Sequence, residues 1–201
     1  MIPTDQNRRK AVRVNDRILL ASRKLAQDRY DAIAQNYHNG ISLYNQKEVG
    51  EIALYLGSQA SLARIREKDE DFANFLQHLD AKLSRVLAAV SKEPSPIDTL
   101  LGQDVSLSGT GLAFFSKDGL SAGDLIELHL VLLPEFFHIY TIAKAISADK
   151  ISAADSDFNF RIACEFVLIM DDDRETLIQH LFKRQQLALR NKRMRGQKDI
   201  S

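Results

Sequence analysis

The chain has 201 residues and equal numbers of acidic and basic residues, 27 of each, so its formal net charge at pH 7 is zero. Hydrophobic residues make up 45% of it, enough to build the core of one domain with an extension or of two small domains. A neutral net charge favours neither a nucleic acid nor a membrane surface as a partner. The single cysteine, Cys164, excludes an internal disulfide framework.

The sequence predicts no secretion signal and no membrane span. Residues 1–10 are polar, and no apolar segment of the kind found in a signal peptide follows them. The chain also lacks a run of about 18 apolar residues, the length that a transmembrane helix needs. We therefore expect a cytoplasmic protein.

Basic residues are concentrated in two segments of the chain. Seven basic residues and one acid, Asp16, lie between Arg8 and Lys24, and seven basic residues with no acid lie between Lys183 and Lys198. Both segments are candidate surfaces for binding an anion. Solvated chain ends are the alternative interpretation.

Residues 1–26 combine this basic start with a short apolar run, Ile18–Ala21, which fits a strand or the start of a helix. Residues 27–96 are then predicted to be helical, because helix-forming residues are frequent and proline is absent until Pro94. Within this segment, Gly40 and Asn45 are expected to separate a short helix from a long one. The long helix would begin near residue 46 and end at the prolines.

The long helix carries an apolar heptad pattern that is typical of a coiled coil. Steps of four and three residues connect its predicted oligomerisation residues, which are Phe72, Leu76, Leu79, Leu83, Val86 and Val90. Leu62 and Ile65 extend the pattern upstream, and Asp69 interrupts it. Phe75 and Leu87 widen the apolar stripe, so the pattern favours more than two helices or a second covering surface. The alternative to self-association is an intramolecular hairpin in which residues 27–44 pack back on the long helix.

Alternating apolar and polar residues predict strands between residues 97 and 170. Ile126–Leu132 and Phe158–Phe166 show the alternation most clearly. Residues typical of turns separate the segments: Gly119, Gly123–Asp124, Pro134 and Ala154–Asp157. About five short strands with hairpin-length turns predict a small antiparallel barrel or sandwich.

A terminal helix is predicted over residues 171–193. Its acidic start, Asp171–Asp173, suits the positive end of a helix, and its apolar face consists of Leu177, Ile178, Leu181 and Phe182. A basic tail, residues 194–201, follows. The predicted fold class is therefore α+β, with an antiparallel β-structure, a long helical insertion and a C-terminal helix.

No pattern in the sequence points to an enzyme. His129, His138 and His180 stand far apart in the sequence, without the spacing of metal ligands. The serines lack a G-x-S-x-G motif, and Ser108–Gly111 lacks the lysine that completes a phosphate-binding loop. We expect no catalytic residue, no metal and no cofactor, and His129 is expected to be a surface or core histidine.

Two short motifs resemble those of a known family. Residues 8–13 contain R-x-x-x-R, and Asp104–Phe114 contains D-x-S-x-x-G ahead of several strand-like segments. This pair resembles the PilZ domain, a small β-barrel that binds the bacterial messenger cyclic di-GMP. The resemblance covers residues 6–26 and 98–190. The heptad-bearing insertion is similar to that of an atypical, tetramer-forming branch of the family, in which long helices build a parallel bundle.

The resemblance implies a role for each part of the chain. Residues 1–26 would supply a basic arm and the first strand of the barrel. Residues 27–96 would be an inserted coiled coil, residues 97–193 would complete the barrel and its terminal helix, and residues 194–201 would remain a basic tail.

The resemblance also implies a ligand site. Arg9 and Arg13 take the places of the R-x-x-x-R arginines, with Arg8 beside them. A guanidinium group fits phosphate oxygens through two hydrogen bonds, stacks on a purine and can pair with guanine O6 and N7. Two arginines four residues apart in an N-terminal arm would thus wrap a cyclic dinucleotide.

The second motif fits in two registers. The literal match is Asp104, Ser106 and Gly109. The other register, Ser106, Ser108 and Gly111, also matches the family's aliphatic and aromatic residues that follow the glycine. Serine at its first position would remove the side chain that reads guanine. A shift of two residues preserves strand alternation, so the pattern of side chains leaves both registers open.

The function implied by the resemblance is that of a cyclic di-GMP-responsive signalling protein without enzymatic activity. The alternative is an oligomeric scaffold with the PilZ fold that binds no ligand and acts through protein contacts. The expected partners are cyclic di-GMP, further copies of the chain (with a tetramer favoured) and an unknown protein. A nucleic acid and a membrane are not expected as partners.

Overall fold

The computed structural model describes residues 13–45, 47–90, 100–151 and 158–198. The helices are α1 (Gln27–His38), α2 (Lys47–Arg66), α3 (Glu70–Val90) and α4 (Asp171–Lys198), with a 3₁₀ turn at Leu43–Asn45. The strands are β1 (Val14–Leu25), β2 (Leu101–Ser108), β3 (Gly111–Ser116), β4 (Leu125–Leu132), β5 (Phe137–Lys150) and β6 (Phe160–Ile169). Within these ranges, no helix combines the length and the apolar content needed to cross a membrane.

The six strands form a closed antiparallel barrel in the order β1-β2-β3-β6-β5-β4. Alternate residues of each strand point inward, because successive side chains of a strand leave opposite faces. Leu107, Leu130 and Ile139 are among the fully buried interior residues. The predicted fold class, a small antiparallel barrel with added helices, is confirmed.

Strand β1 closes the barrel by pairing on both sides. Val14–Leu20 pair with β2, and Leu19–Leu25 pair with β4. The apolar run Ile18–Ala21, which fitted either a strand or a helix, is therefore a strand. Its Ile18 and Leu20 point into the barrel core.

Helix α4 packs on the barrel through its first half. Leu177 and Leu181 are buried in the same apolar cluster as the strand residues Ile18 and Leu107. The helix continues to Lys198. The prediction that it ends at residue 193 and gives way to a separate tail is wrong, because helical structure extends through five of the residues assigned to that tail.

The insertion differs from the predicted long helix. Helix α2 ends at Arg66 and α3 begins at Glu70. Asp69 lies between them, and its Oδ1 accepts a hydrogen bond from the Phe72 backbone N–H at 2.9 Å, as an N-cap residue does. The predicted continuation of the heptad pattern through Asp69 is thus wrong. Asp69 begins a new helix instead of interrupting a seam.

The alternative prediction, a hairpin in which residues 27–44 pack on the long helix, is also wrong. A hairpin forms, but between different segments. Helix α2 contacts α3, and the Arg66 Nη2 donates to Gln77 Oε1 at 2.7 Å. Helix α1 packs on the barrel instead, where Ile33 shares an apolar cluster with Tyr140 and Leu168. The insertion is therefore a helical hairpin of α2 and α3, preceded by a helix that covers the barrel wall.

Candidate anion-binding groove

A groove of about 530 Å³ lies on the outer face of the barrel, across β1, β2, β3 and β6. The side chains that form its floor are Asn15, Arg17, Ser106, Ala113, Phe115 and Arg161. Asp104 and Arg184 also line it. The groove thus combines guanidinium groups, one aromatic ring and small side chains on a surface built from four neighbouring strands.

The strand register explains how these side chains meet. Arg17 is paired with Asp104 across β1 and β2, and Phe115 is paired with Arg161 across β3 and β6. Directly paired residues of antiparallel strands project on the same face of a sheet. The register therefore brings together residues that are up to 144 positions apart in the chain (17 to 161).

Asn15, Ser106 and Ala113 form a second row beside the first. Asn15 is paired with Ser106, and Ser106 with Ala113. These side chains are short, so this part of the floor is shallow and can be approached closely by a flat ring. Phe115 lies one alternation further along β3 and supplies an apolar surface next to it.

The two barrel arginines in the groove are exposed and available. Within the ranges that the structure describes, the guanidinium groups of Arg17 and Arg161 have no hydrogen-bonded or ion-paired partner. Asp104 is exposed beside Arg17 and provides a carboxylate at the same edge. The groove can therefore accept an anion at two positions and offers one acceptor for a hydrogen-bond donor.

Helix α4 contributes a third arginine to the groove. The Arg184 Nη2 forms an ion pair with Asp16 Oδ1, and the Asp16 side chain is fully buried. The His180 Nε2 lies 2.6 Å from the other oxygen, Asp16 Oδ2. Asp16 on β1 thus binds two cationic or polar side chains from consecutive turns of α4.

Of the three predicted arm arginines, Arg13 lies within the described residues. Arg13 directly precedes the strand, is exposed and stands two residues before Asn15. Alternation along an extended chain places it on the groove side of the barrel. Arg8 and Arg9 lie outside the described residues.

The two registers of the second motif place different residues in the groove. Asp104 and Ser106 both line it. Ser108 is buried, and its Oγ donates a hydrogen bond to the Gly111 carbonyl oxygen at 2.9 Å, so this hydroxyl is used inside the β2–β3 turn. Asp104 and Ser106 therefore present their side chains to the groove, whereas Ser108 shapes the turn.

The two glycines of the motif differ in the space around them. A Cβ on Gly111 would overlap the Cys164 carbonyl oxygen of β6, which leaves no room for a side chain. A Cβ on Gly109 would meet only the Ile178 side chain, at 3.4 Å, an ordinary contact. The Gly109 carbonyl oxygen accepts a hydrogen bond from Arg174 Nη1 at 2.9 Å. Close packing of strands thus requires glycine at position 111 and not at position 109.

The predicted oligomerisation residues form a second candidate surface, on α3. Phe72, Leu79, Leu83 and Val86 are between 45% and 61% exposed, and Phe75 beside them is 62% exposed. Leu76 is partly buried. The Val90 side chain lies outside the described residues. Most of the apolar stripe therefore has no cover within the described part of the chain.

Sequence reasoning missed Arg17, Phe115, Arg161 and Arg184 as groove residues. Part of the signal was present, since Arg17 and Arg161 occupy outward positions of alternating segments. The register between β3 and β6 could not be derived from alternation, because the pairing depends on barrel closure. Arg184 belongs to a helix whose position on the barrel is fixed by distant apolar contacts.

The three histidines are far apart in the sequence, but in the structure each contacts another polar side chain. Antiparallel pairing of β4 with β5 brings His129 Nδ1 within 3.2 Å of His138 Nε2, with the rings stacked at 5.4 Å. Burial, together with the neighbouring His129, lowers the pKa of His138 to about 3. Among the described residues, no three His, Cys, Asp or Glu side chains are grouped so that they could hold a metal ion.

A closed six-stranded antiparallel barrel with a helix over its core and a basic groove on its wall defines a small β-barrel domain. Residues 84–183 match the model of the PilZ domain family, so the chain carries a PilZ domain and belongs to that family over this range. The match begins within α3 and ends within α4. Strand β1 and the groove residues that it contributes lie ahead of the matched range.

Several solved structures are similar to the chain, and two of them illustrate the likeness. One is the Bacillus subtilis inhibitor of motility MotI/DgrA, with 15% identity and a TM-score of 0.43 over 89% of this chain and 51% of that protein. The chain therefore spans about half the length of that protein. The other is a Xanthomonas campestris protein described as a tetrameric PilZ domain that self-assembles via a helical bundle. It is 15% identical, with a TM-score of 0.45 over 90% of this chain and 92% of that one. No curated protein sequence matches the chain.

Proposed function

We propose that the chain is a non-enzymatic PilZ-type signalling protein that binds cyclic di-GMP in the groove and responds to it. The observation that carries this proposal is the pair of available guanidinium groups, Arg17 and Arg161, in a groove that the Phe115 ring also lines. The ligand carries two phosphates and two guanines. The groove offers charge for the phosphates and a flat apolar surface for a base.

The arginine arm completes this arrangement. Arg13 stands at the start of β1 on the groove side, and Arg9 lies one R-x-x-x-R spacing before it. We propose that both arginines close over the ligand, with Arg8 beside them, and that they bind phosphate oxygens or a guanine edge through paired hydrogen bonds. Binding would thus hold the arm against the barrel.

Asp104 supports the choice of guanine as the base. Its carboxylate is exposed in the groove, and guanine presents an amino donor that a carboxylate can accept. Ser106 occupies the first position of the other register, but Asp104 lies on the same face two residues away. We propose that Asp104 replaces the missing acidic side chain at that position, so that the departure from the family pattern does not remove guanine binding.

The test is calorimetric titration of the full chain with cyclic di-GMP. We expect micromolar or tighter binding that is lost in the Arg9→Ala/Arg13→Ala variant and weakened at least about tenfold in Arg17→Gln/Arg161→Gln, because two charge-assisted contacts are removed. Arg64→Gln is the matched control, since Arg64 is exposed on α2 and its guanidinium donates to Ser61. Absence of binding to the unmodified chain would contradict the proposal and leave the scaffold function.

The second candidate function is that of an oligomeric scaffold. The specific observation is the uncovered apolar stripe on α3. Contiguous exposed apolar side chains on a helix are characteristic of an interaction surface. We propose that copies of the chain assemble through α3, with a tetramer favoured because the stripe is wider than a two-helix seam. Assembly and ligand binding use different surfaces, so one molecule could perform both and present them to a protein partner.

A further inference from the structure

Arg184 lies where helix α4 meets the groove. Its side chain lines the groove and is 36% exposed, although its partner Asp16 is fully buried. A guanidinium group carries five N–H donors. Within the described ranges, Asp16 is the one side chain that pairs with Arg184. The remaining donors are therefore available on the groove side.

Asp16 holds Arg184 in place. The carboxylate binds both Arg184 and His180, which are four residues apart and so lie on one face of α4. Leu177 and Leu181 are buried in the barrel core next to this face. Arg184 is the most C-terminal of these four anchoring residues. After it, α4 carries exposed apolar side chains such as Leu187 and Leu189.

We propose that Arg184 is a ligand-binding residue supplied by α4, that Asp16 positions it, and that occupancy of the groove thereby tightens the attachment of α4 to the barrel. This inference rests on the proposed function. A dianionic ligand held by Arg17 on β1 and Arg161 on β6 gains a third contact only when α4 is docked. Ligand binding and docking of α4 therefore favour each other, as thermodynamic linkage requires.

This coupling gives the protein an output surface. Tighter docking lowers the frequency with which the first half of α4 separates from the barrel, and the rest of the helix continues from this docked half. Phe182, Leu187 and Leu189 are exposed near the end of the docked half and just beyond it. A protein partner that contacts these side chains would meet a more ordered helix when the messenger is bound.

The test is hydrogen–deuterium exchange of the full chain, with and without saturating cyclic di-GMP. We expect exchange of the backbone amides of residues 182–190 to slow at least about fivefold in the unmodified protein, the lower end of typical coupling. In Arg184→Gln, we expect weaker binding and no slowing at saturation. Lys183→Gln is the matched control, because Lys183 is a neighbouring cation that pairs with Glu135, away from Asp16. It should retain the slowing.

A second variant separates the loss of the Arg184 contact from misfolding of the protein. Arg184→Gln leaves the buried Asp16 carboxylate without its cation, whereas Asp16→Asn/Arg184→Gln removes both charges together. This double variant should fold, as circular dichroism would verify, and should also lose the slowing. If ligand still slows amide exchange in either variant, the role of Arg184 is contradicted while the proposed function stands. The same holds if the unmodified protein binds cyclic di-GMP without slower exchange. Absence of calorimetric binding would overturn the inference and the proposed function together.

Discussion

At the scale of single residues, Gly111 is the position with the least tolerance for a side chain. Its Cα faces the Cys164 carbonyl of β6, and an added methyl group would force β3 and β6 apart. We expect Gly111→Ala to lower the free energy of unfolding by about 3 kcal/mol, the upper part of the range for overpacking. Urea denaturation followed by circular dichroism measures this loss.

Gly109→Ala provides the comparison within the same motif. A methyl group there meets only the Ile178 side chain, so the free energy of unfolding should change by less than about 1 kcal/mol. If the two variants lose equal amounts of unfolding free energy, then the contact with the Cys164 carbonyl is not what requires glycine at position 111.

His138 gives the fold a defined dependence on pH. Its pKa of about 3 in the folded chain lies below the unfolded value of 6.5, because burial and His129 disfavour the charged ring. The unfolded state therefore binds the proton first, and stability is lost as pH falls below 6.5 toward 3. The contribution between pH 6.5 and pH 5 is about 1.6 kcal/mol. We expect His138→Gln to show a correspondingly smaller loss of stability in denaturant titrations at these two pH values.

Asp173 acts in the opposite direction and has to be separated from His138. Burial raises its pKa to about 6, although Tyr44 Oη donates to its Oδ2 at 2.8 Å. The folded state therefore binds this proton before the unfolded state, and stability is gained as pH falls through 6. Measuring His138→Gln in an Asp173→Asn background isolates the histidine. A pH dependence unchanged by the His138 substitution would contradict the assignment.

At the residue level, the motif pointed to two residues that line the groove, and their contact with a ligand stays a prediction. Asp104 and Ser106 were named from the motif, and both line the groove. Arg161 and Arg184 were not named, because their place in the groove depends on strand pairing and helix docking. The contact between His129 and His138 was missed for the same reason, since strand register does not follow from composition.

At the scale of elements, α3 carries an apolar stripe that is largely uncovered within the described part of the chain. Leu79 and Leu83 are 45% and 56% exposed, so aspartate at both positions should leave the monomer folded. In an assembly that buries this stripe, two carboxylates would meet apolar side chains without partners, which is strongly unfavourable. We expect Leu79→Asp/Leu83→Asp to yield monomers in sedimentation velocity experiments.

Leu54 offers the matched control for this experiment. It lies on α2 and is 77% exposed, so Leu54→Asp introduces the same type of charge outside the proposed interface. This variant should sediment like the unmodified protein. An oligomer that survives the α3 substitutions would contradict assembly through that stripe.

The break between α2 and α3 shows what heptad spacing cannot resolve. Asp69 occupies a seam position and is also a favourable N-cap residue, and the sequence pattern supports both interpretations. The hydrogen bond that Asp69 accepts from the Phe72 backbone N–H shows that Asp69 is an N-cap residue. The strands between residues 97 and 170 were more predictable, because alternation and turn residues mark each one independently.

At the scale of the whole molecule, the groove is a product of barrel closure. Its floor needs β1 next to β2 and β3 next to β6, and its rim needs α4 docked on the same wall. The number and alternation of the strands predicted a small barrel or sandwich, and the resemblance to the PilZ domain implied the barrel. The order of the strands around the barrel could not be predicted, because β6 pairs with β3 across two intervening strands. The groove depends on this order and could not be predicted either.

The double pairing of β1 also has a consequence for synthesis on the ribosome. β1 ends at Leu25, whereas its partners begin at Leu101 and Leu125. At translation rates of about 5–20 residues per second, this strand waits several seconds for its first neighbour. Ile18 and Leu20 remain unprotected during that time, as a strand edge open to other nascent chains. Arg17, Arg23 and Lys24 flank these residues and would discourage such contacts, as charges beside apolar segments do in other proteins.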